Sequence, residues 1–403
     1  MDLWKKKFII IWSGQLFSIL SSAIVGYSVM FWLSIETKSA EVLSYAVLAT
    51  LLPQALLGPI AGVYVDRWKR KLTMIAADSF VALCSLILGG LFYFDQAELG
   101  LIYLLMALRS IGNAFHSPAM QAAIPMLAPE SELMRIAGVN QALQSVSSIA
   151  GPALGALLIT SLNMTVVMLL DVAGAIIACT ALAFVAIPDP VRTEEKRKPG
   201  IWHEMVEGWK EVQKHRGLPW LMIISVAVTF FLMPVAVLFP LMTVTHFGGD
   251  TFQMSLVEIV WGAGLILGVW KIKIRRVGLI NSSYLALGSY ILISGLLPSD
   301  AFVLFVCLTI IGGLAGSFYS GPFTSVLQTF IDHTALGRVF SLFGSLSLLP
   351  SMIGILLTGY IADTIGVSNA FWISGCIILS LGVISFFIPS VMKLEKRSGE
   401  DRF

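Results

Sequence analysis

The chain has 403 residues, 57% of them hydrophobic and only 12% charged, with a formal net charge of +2 and a mean hydropathy of +0.86. A soluble domain carries about 25% charged residues, so a soluble enzyme with one apolar face is excluded, and near-neutrality gives nucleic-acid binding no support. Thirty-five glycines and ten tryptophans suit transmembrane helices, where Gly is common and Trp favours the interface.

Crossing a hydrocarbon core takes roughly 20 apolar residues. Twelve such runs follow one another, at 8–34, 42–64, 72–94, 99–122, 138–161, 164–187, 218–243, 252–272, 278–297, 301–325, 338–362 and 367–390. They predict an all-α polytopic membrane protein with twelve transmembrane helices. The first run follows three lysines and imitates a signal peptide. It is too long for one and eleven more spans follow, so it reads as an uncleaved first helix. Cys84, Cys179, Cys307 and Cys376 are scattered through apolar runs, which suits small packing residues and neither a disulfide framework nor a metal site.

Twelve spans place both termini on one side, and the positive-inside rule selects the cytoplasm. All the Lys and Arg residues except Lys38 and Arg109 sit at the termini, in or beside the even-numbered loops, or in the central linker. The chain therefore divides into an N-terminal six-helix half over 1–187, a cytoplasmic linker over 188–217, a C-terminal six-helix half over 218–390 and a cytoplasmic tail over 391–403. In the linker, Trp202, Met205, Trp209 and Val212 recur at helical spacing. They predict an amphipathic helix, lying either at the cytoplasmic membrane face or in solvent. The halves look related. RIAGVNQALQSVSSIAG from Arg135 and RVFSLFGSLSLLPSMIG from Arg338 align so that Gly151 falls on Gly354. Two parallel six-helix repeats are an architecture of secondary transporters.

Between spans two and three stands GVYVDRWKRK, with Gly62, Asp66, Arg67, Arg70 and Lys71. Gly62 permits close helix approach. Asp66 suits the free amides of a neighbouring helix N-terminus, while Arg67 and Arg70 suit carboxylates such as Asp66 or Glu132. The decapeptide thus reads as a cytoplasmic latch, where plain positive-inside anchoring would need no aspartate. In span five, Pro152 removes a backbone hydrogen bond and predicts a bend, and Gly151 with Gly155 forms a small-residue face for tight packing.

This turn resembles the signature of the major facilitator superfamily, with Lys69 where a glycine is usual. Arg109-x-x-Gly112 resembles the family's second motif with the glycine one residue early, and AGPALG from Ala150 resembles its antiporter motif. WKKKFIIIWSGQ, RSIGNAFHSPA and LGRVFSL are similar to the macrolide-efflux exporters of bacteria. The resemblance implies the major facilitator fold, a seal against leak around Gly151, Pro152 and Gly155, a location in the bacterial cytoplasmic membrane, and drug:proton antiport.

An arginine inside a span costs roughly 2.5–3.5 kcal/mol on insertion scales and marks a cavity or a partner. Arg109 is such a residue, and Asn113 and His116 share its helix face. Polar stripes through Gln15, Ser18 and Ser22, through Gln144, and through Ser320 predict a wet central cavity, with Phe230 among the aromatics suited to an apolar drug. Asp78, Asp171 and Glu258 lie inside spans, where desolvation favours the protonated carboxyl. Asp171 and Glu258 are the preferred proton sites. The competing reading for them is a structural ion pair with Arg109 or a group reaching the interface.

No nucleotide-binding loop occurs, so an ATP-powered pump would need a second chain for which the sequence gives no evidence. No cofactor is implied, and no catalytic constellation. One charge crossing 100 mV supplies about 2.3 kcal/mol, enough for a substantial drug gradient. The leading reading is export of a bulky amphipathic compound such as a macrolide, in exchange for protons, across the lipid bilayer. The alternatives are export of a siderophore or other endogenous metabolite, and a non-transporting receptor or partner subunit.

Overall fold

The computed structural model describes residues 3–127, 129, 132–185, 187, 201–268, 276–332 and 335–400. Its first six helices are α1 Leu3–Thr37, α2 Ala40–Arg67, α3 Arg70–Tyr93, α4 Leu99–Leu127, α5 Leu133–Ser161 and α6 Met164–Ala183. After the linker helix α7 Ile201–Gln213 come α8 Leu218–Val237, α9 Phe239–Thr245, α10 Thr251–Leu267, α11 Arg276–Leu296, α12 Phe302–Phe330, α13 Leu336–Ile365, α14 Val367–Phe387 and α15 Pro389–Glu400. Ten of these are long and apolar enough to cross a membrane, and α5 and α10 add the shorter apolar stretches Val146–Ser161 and Thr251–Leu267. The twelve-span, all-helical fold read from the sequence is met.

Two details depart from that reading. The run 218–243 is divided into α8 and α9. Pro240 has no N–H to return to the preceding turn, and Leu238 closes a tighter turn onto the carbonyl of Val235 at 3.0 Å. Pro152 lies inside α5, which continues to Ser161. The amphipathic helix of the linker exists as α7, but its buried face rests on α13. Val212 is fully buried there, and a Cβ at Gly208 would stand 3.1 Å from the carbonyl oxygen of Arg338. Glu207 of α7 accepts from Arg338 and pairs with His203 at 3.0 Å. The side chain of Trp202 and residues 188–200 lie outside the described residues.

The chain forms two compact units. Unit 1 comprises residues 1–37, 45–194 and 250–259, and unit 2 comprises 38–44, 195–249 and 260–403. In unit 1, α1 packs on α5 and α6, and α3 on α4 and α6. In unit 2, α11 packs on α12 and α14, and α13 on α8. The internal repeat has a packing meaning. A Cβ at Gly151 would lie 3.1 Å from Ala23 Cβ on α1, and one at Gly354 would lie 2.8 Å from the Phe230 carbonyl on α8. Small residues at matching positions let each pair of helices close up, as helices in lipid must do without a hydrophobic drive between them. Gly155 continues the first contact, 3.2 Å from Ile24 O for an added Cβ.

Residues 38–44 belong to unit 2 through Asp363. Its carboxylate accepts from Ser39 Oγ at 2.6 Å and from the backbone N–H groups of Ala40 at 2.6 Å and Glu41 at 3.0 Å. It supplies the anion that the amide-rich start of α2 favours.

Candidate functional site

Among the described residues, unit 1 buries two carboxylates, a guanidinium and an imidazole: Asp78, Asp171, Arg109 and His116. Helical spacing arranges them. On α3, Asp78 and Ser85 are seven residues apart, and so are Arg109 and His116 on the antiparallel α4. Seven residues are two turns, about 10 Å, so the two helices together build two tiers. Gln15 and Ser18 on α1 serve one tier, and Ser21 and Ser22, a turn further along, serve the other.

The first tier is centred on Asp171 of α6. Its Oδ2 accepts from the Arg109 guanidinium at 2.7 Å and from Ser85 Oγ at 2.7 Å. Its Oδ1 accepts from Ser22 at 2.6 Å and Ser21 at 3.3 Å. Both carboxylate oxygens are therefore doubly served, and the buried arginine has its counter-charge. Close packing makes this geometry, since a Cβ at Gly174 would stand 2.2 Å from Ser21 Oγ. The second tier lies towards the Arg70 end of α3. Asp78 Oδ1 accepts from Ser18 Oγ at 3.1 Å and faces His116 Nε2 at 3.4 Å, while Oδ2 faces Gln15 Nε2 at 3.4 Å. Between the tiers, buried Val81 meets Gly112, where an added Cβ would be 2.6 Å from Val81 Cγ2.

The sequence-derived residues thus separate into groups. Gln15, Ser18 and His116, expected at an open cavity, are buried against Asp78, and Ser22 is bound to Asp171. Their polar stripe is explained by carboxylate partners in the same unit. Asn113, Gln144 and Ser320 are exposed, and Phe230 is half-buried, set edge-on to Phe231 with centroids 5.0 Å apart. Glu258 is half-buried on α10, within electrostatic reach of Tyr27 on α1. Ser21 and Ser85 were not singled out in the sequence. The matching seven-residue steps on α3 and α4 were the available signal for Ser85.

At the 62–71 turn, Lys71 Nζ donates to the carbonyls of Ala183 at 2.9 Å and Val185 at 3.0 Å. A cation thereby serves the unpaired carbonyls at the end of α6. Arg70 approaches Met126 Sδ, and Glu132 pairs with Arg135 at 3.6 Å, so the proposed Arg70–Glu132 pair is not formed. Arg67 is exposed. A Cβ on Gly62 would meet nothing within 4 Å, and the expected close approach at that glycine is absent among the described residues. The side chain of Asp66 lies outside them. Ile11, Trp12, Val65, Met74, Ala123 and Leu182 form a common core beside the turn.

The profile of the Major Facilitator Superfamily matches residues 11–349. Macrolide efflux protein A of Streptococcus pyogenes is 38% identical over 97% of this chain and 98% of its own. Multidrug efflux pump Tap of Mycobacterium tuberculosis is 28% identical over 90% of this chain and 89% of its own. Among solved structures, a bacterial homolog of the human lysosomal transporter Spinster, inward-facing and unoccupied, aligns with a TM-score of 0.71 at 13% identity. That alignment covers 100% of this chain and 99% of the other, and it bears on the fold.

Proposed function

The chain belongs to the Major Facilitator Superfamily, and we propose that it exports a bulky amphipathic compound, a macrolide first among candidates, in exchange for protons. The observation that carries this reading is the full-length likeness to a macrolide efflux protein. Buried ionisable groups in unit 1 support the coupling. Charges inside a membrane protein are costly and mark ion or proton pathways, and Asp78, Asp171 and Glu258 supply three carboxyls within spans. The termini face the cytoplasm, from the Lys and Arg asymmetry of the loops. Asp66 keeps the latch role assigned from sequence, beside a turn fastened to α6 by Lys71.

In this mechanism the drug and the proton occupy the carrier in alternation, and proton entry down its gradient drives the drug outward. Erythromycin accumulation in susceptible bacteria carrying the gene tests it, with and without an uncoupler and alongside Asp78→Asn, Asp171→Asn and Glu258→Gln. The expected result is lower accumulation that the uncoupler restores and that at least one substitution abolishes. Accumulation equal to that of cells lacking the gene would discard the macrolide. Lowered accumulation that persists under the uncoupler would discard the proton.

A further inference from the structure

Resting on the proton-coupled reading, we infer that the proton is exchanged at the Asp78–His116 pair, with Gln15 reporting its protonation to α1, while Asp171 stays ionised throughout as the fixed partner of Arg109. The two tiers differ in what a proton would do to them. Guanidinium is always charged in proteins, so protonating Asp171 would strand the buried Arg109 without a counter-charge, and removing one partner of such a pair is strongly unfavourable. Asp171 also has four donors and no vacant acceptor role to relieve.

Asp78 has neither restraint. No Lys or Arg pairs with it among the described residues, and its contacts are long: 3.1 Å to Ser18 and 3.4 Å to both Gln15 and His116. Two atoms of this tier are buried without a hydrogen-bond partner among the described residues, Nε2 of His116 and Oε1 of Gln15. Although His116 Nε2 is 3.4 Å from Asp78 Oδ1, its ring is not aligned for a hydrogen bond. Buried polar atoms left unpaired cost free energy, and one added proton serves one or the other. Placed on Nε2, it lies 3.4 Å from Asp78 Oδ1, and a small turn of the ring brings it into line. Placed on Asp78, it gives a carboxyl O–H that Gln15 accepts once its amide rotates to present Oε1 in place of Nε2. A side-chain amide offers a donor to the carboxylate and an acceptor to the acid, so Gln15 suits both states with one flip.

The step balances simply. A proton arriving from outside binds the Asp78 carboxylate or the His116 imidazole, the tier gains one positive charge, and the same proton leaves to the cytoplasm with no bond to carbon made or broken. The surroundings contain few other titratable groups. From α1 come Gln15 and Ser18, from α4 His116 and, one tier away, Arg109. From α6 comes Cys179, bonded to Ser79 at 3.8 Å and within electrostatic reach of Asp78, with Asp171 again one tier away. Arg70 and Lys71 begin α3 two turns before Asp78 and are engaged at Met126 and at the end of α6.

Infrared difference spectroscopy of the purified protein between acid and alkaline buffers tests this without any drug. The wild type should show a buried carboxylic C=O band on acidification that is lost in Asp78→Asn, kept in Asp171→Asn and Glu258→Gln, and moved in its pH midpoint by His116→Gln. A band that survives in Asp78→Asn, or that vanishes in Asp171→Asn or Glu258→Gln instead, overturns the assignment. Should Asp78→Asn fail to fold, an unchanged midpoint in both His116→Gln and Gln15→Leu would overturn it equally. Transport separates this failure from failure of the exporter reading. In everted vesicles where the wild type accumulates erythromycin under a proton gradient, Asp78→Asn should lose gradient-driven accumulation and retain erythromycin exchange. Undiminished accumulation by Asp78→Asn counts against the pair alone, whereas vesicles of the wild type that accumulate none count against the macrolide and leave the infrared result to judge the pair.

Discussion

The two units share a packing scheme and differ in what they bury. Gly151 on α5 and Gly354 on α13 close equivalent helix contacts, yet the buried charged side chains all lie in unit 1 among the described residues. Unit 2 buries neutral polar groups in their place: Tyr284 bonds Ser225 at 2.6 Å, Tyr290 bonds Thr309 at 3.2 Å, and Asn281 accepts from Ser385 at 2.7 Å. Its helices are also joined more tightly along the backbone. An added Cβ would lie 2.2 Å from Leu292 N at Gly375 and 2.4 Å from Leu379 N at Gly288. Repeat architecture thus fixes how helices meet and leaves each interior free to specialise, one toward ionisable chemistry and the other toward a neutral frame.

The largest effect expected from breaking this contrast is in the first tier of unit 1. Asp171→Asn leaves Arg109 buried without its counter-charge and should cost about 3–5 kcal/mol, read as a lowered melting temperature in detergent. Combining it with Arg109→Leu should recover much of that loss, because the stranded charge is then gone. A double variant as unstable as the single one would mean that the pair is not what holds the tier. Next in size are the glycines of unit 2. Gly375→Ala and Gly288→Ala press a methyl group onto backbone and should each cost about 1–3 kcal/mol. Gly112→Ala, in unit 1, meets a Val81 methyl that can give way, and its melting temperature should fall by less than either. The smallest expected effect is Tyr284→Phe. Losing one hydrogen bond to Ser225 should cost about 0.5–1.5 kcal/mol, with the pH dependence of transport unmoved, since no ionisable group of unit 1 is touched.

The spans were legible because lipid demands a long apolar run for every crossing, and the runs carry few charges to blur them. The break at Leu238 was not, since Pro240 sits within an apolar run that hydropathy alone counts as one span. At the site, Arg109, Asp78 and Asp171 stand out wherever they fall because charge is rare in apolar sequence. Their pairing does not. The stripe of Gln15, Ser18 and Ser22 requires polar company, and a wet cavity or a buried carboxylate on another helix satisfies it equally. Only the placement of α3 and α6 beside α1 decides that Gln15 and Ser18 serve Asp78 while Ser22 serves Asp171. The register that unites Asp78 with His116 and Ser85 with Arg109 was present as equal spacing on two helices, but spacing acquires meaning only once those helices are known to be antiparallel neighbours.

Export in exchange for protons is tested most directly in proteoliposomes holding the purified protein, labelled erythromycin and a pH-sensitive dye in the lumen. With an imposed proton gradient, erythromycin should move against its own gradient while protons move the opposite way, and an uncoupler should stop both. Erythromycin movement with no accompanying change in luminal pH, or proton movement indifferent to the drug, would contradict it.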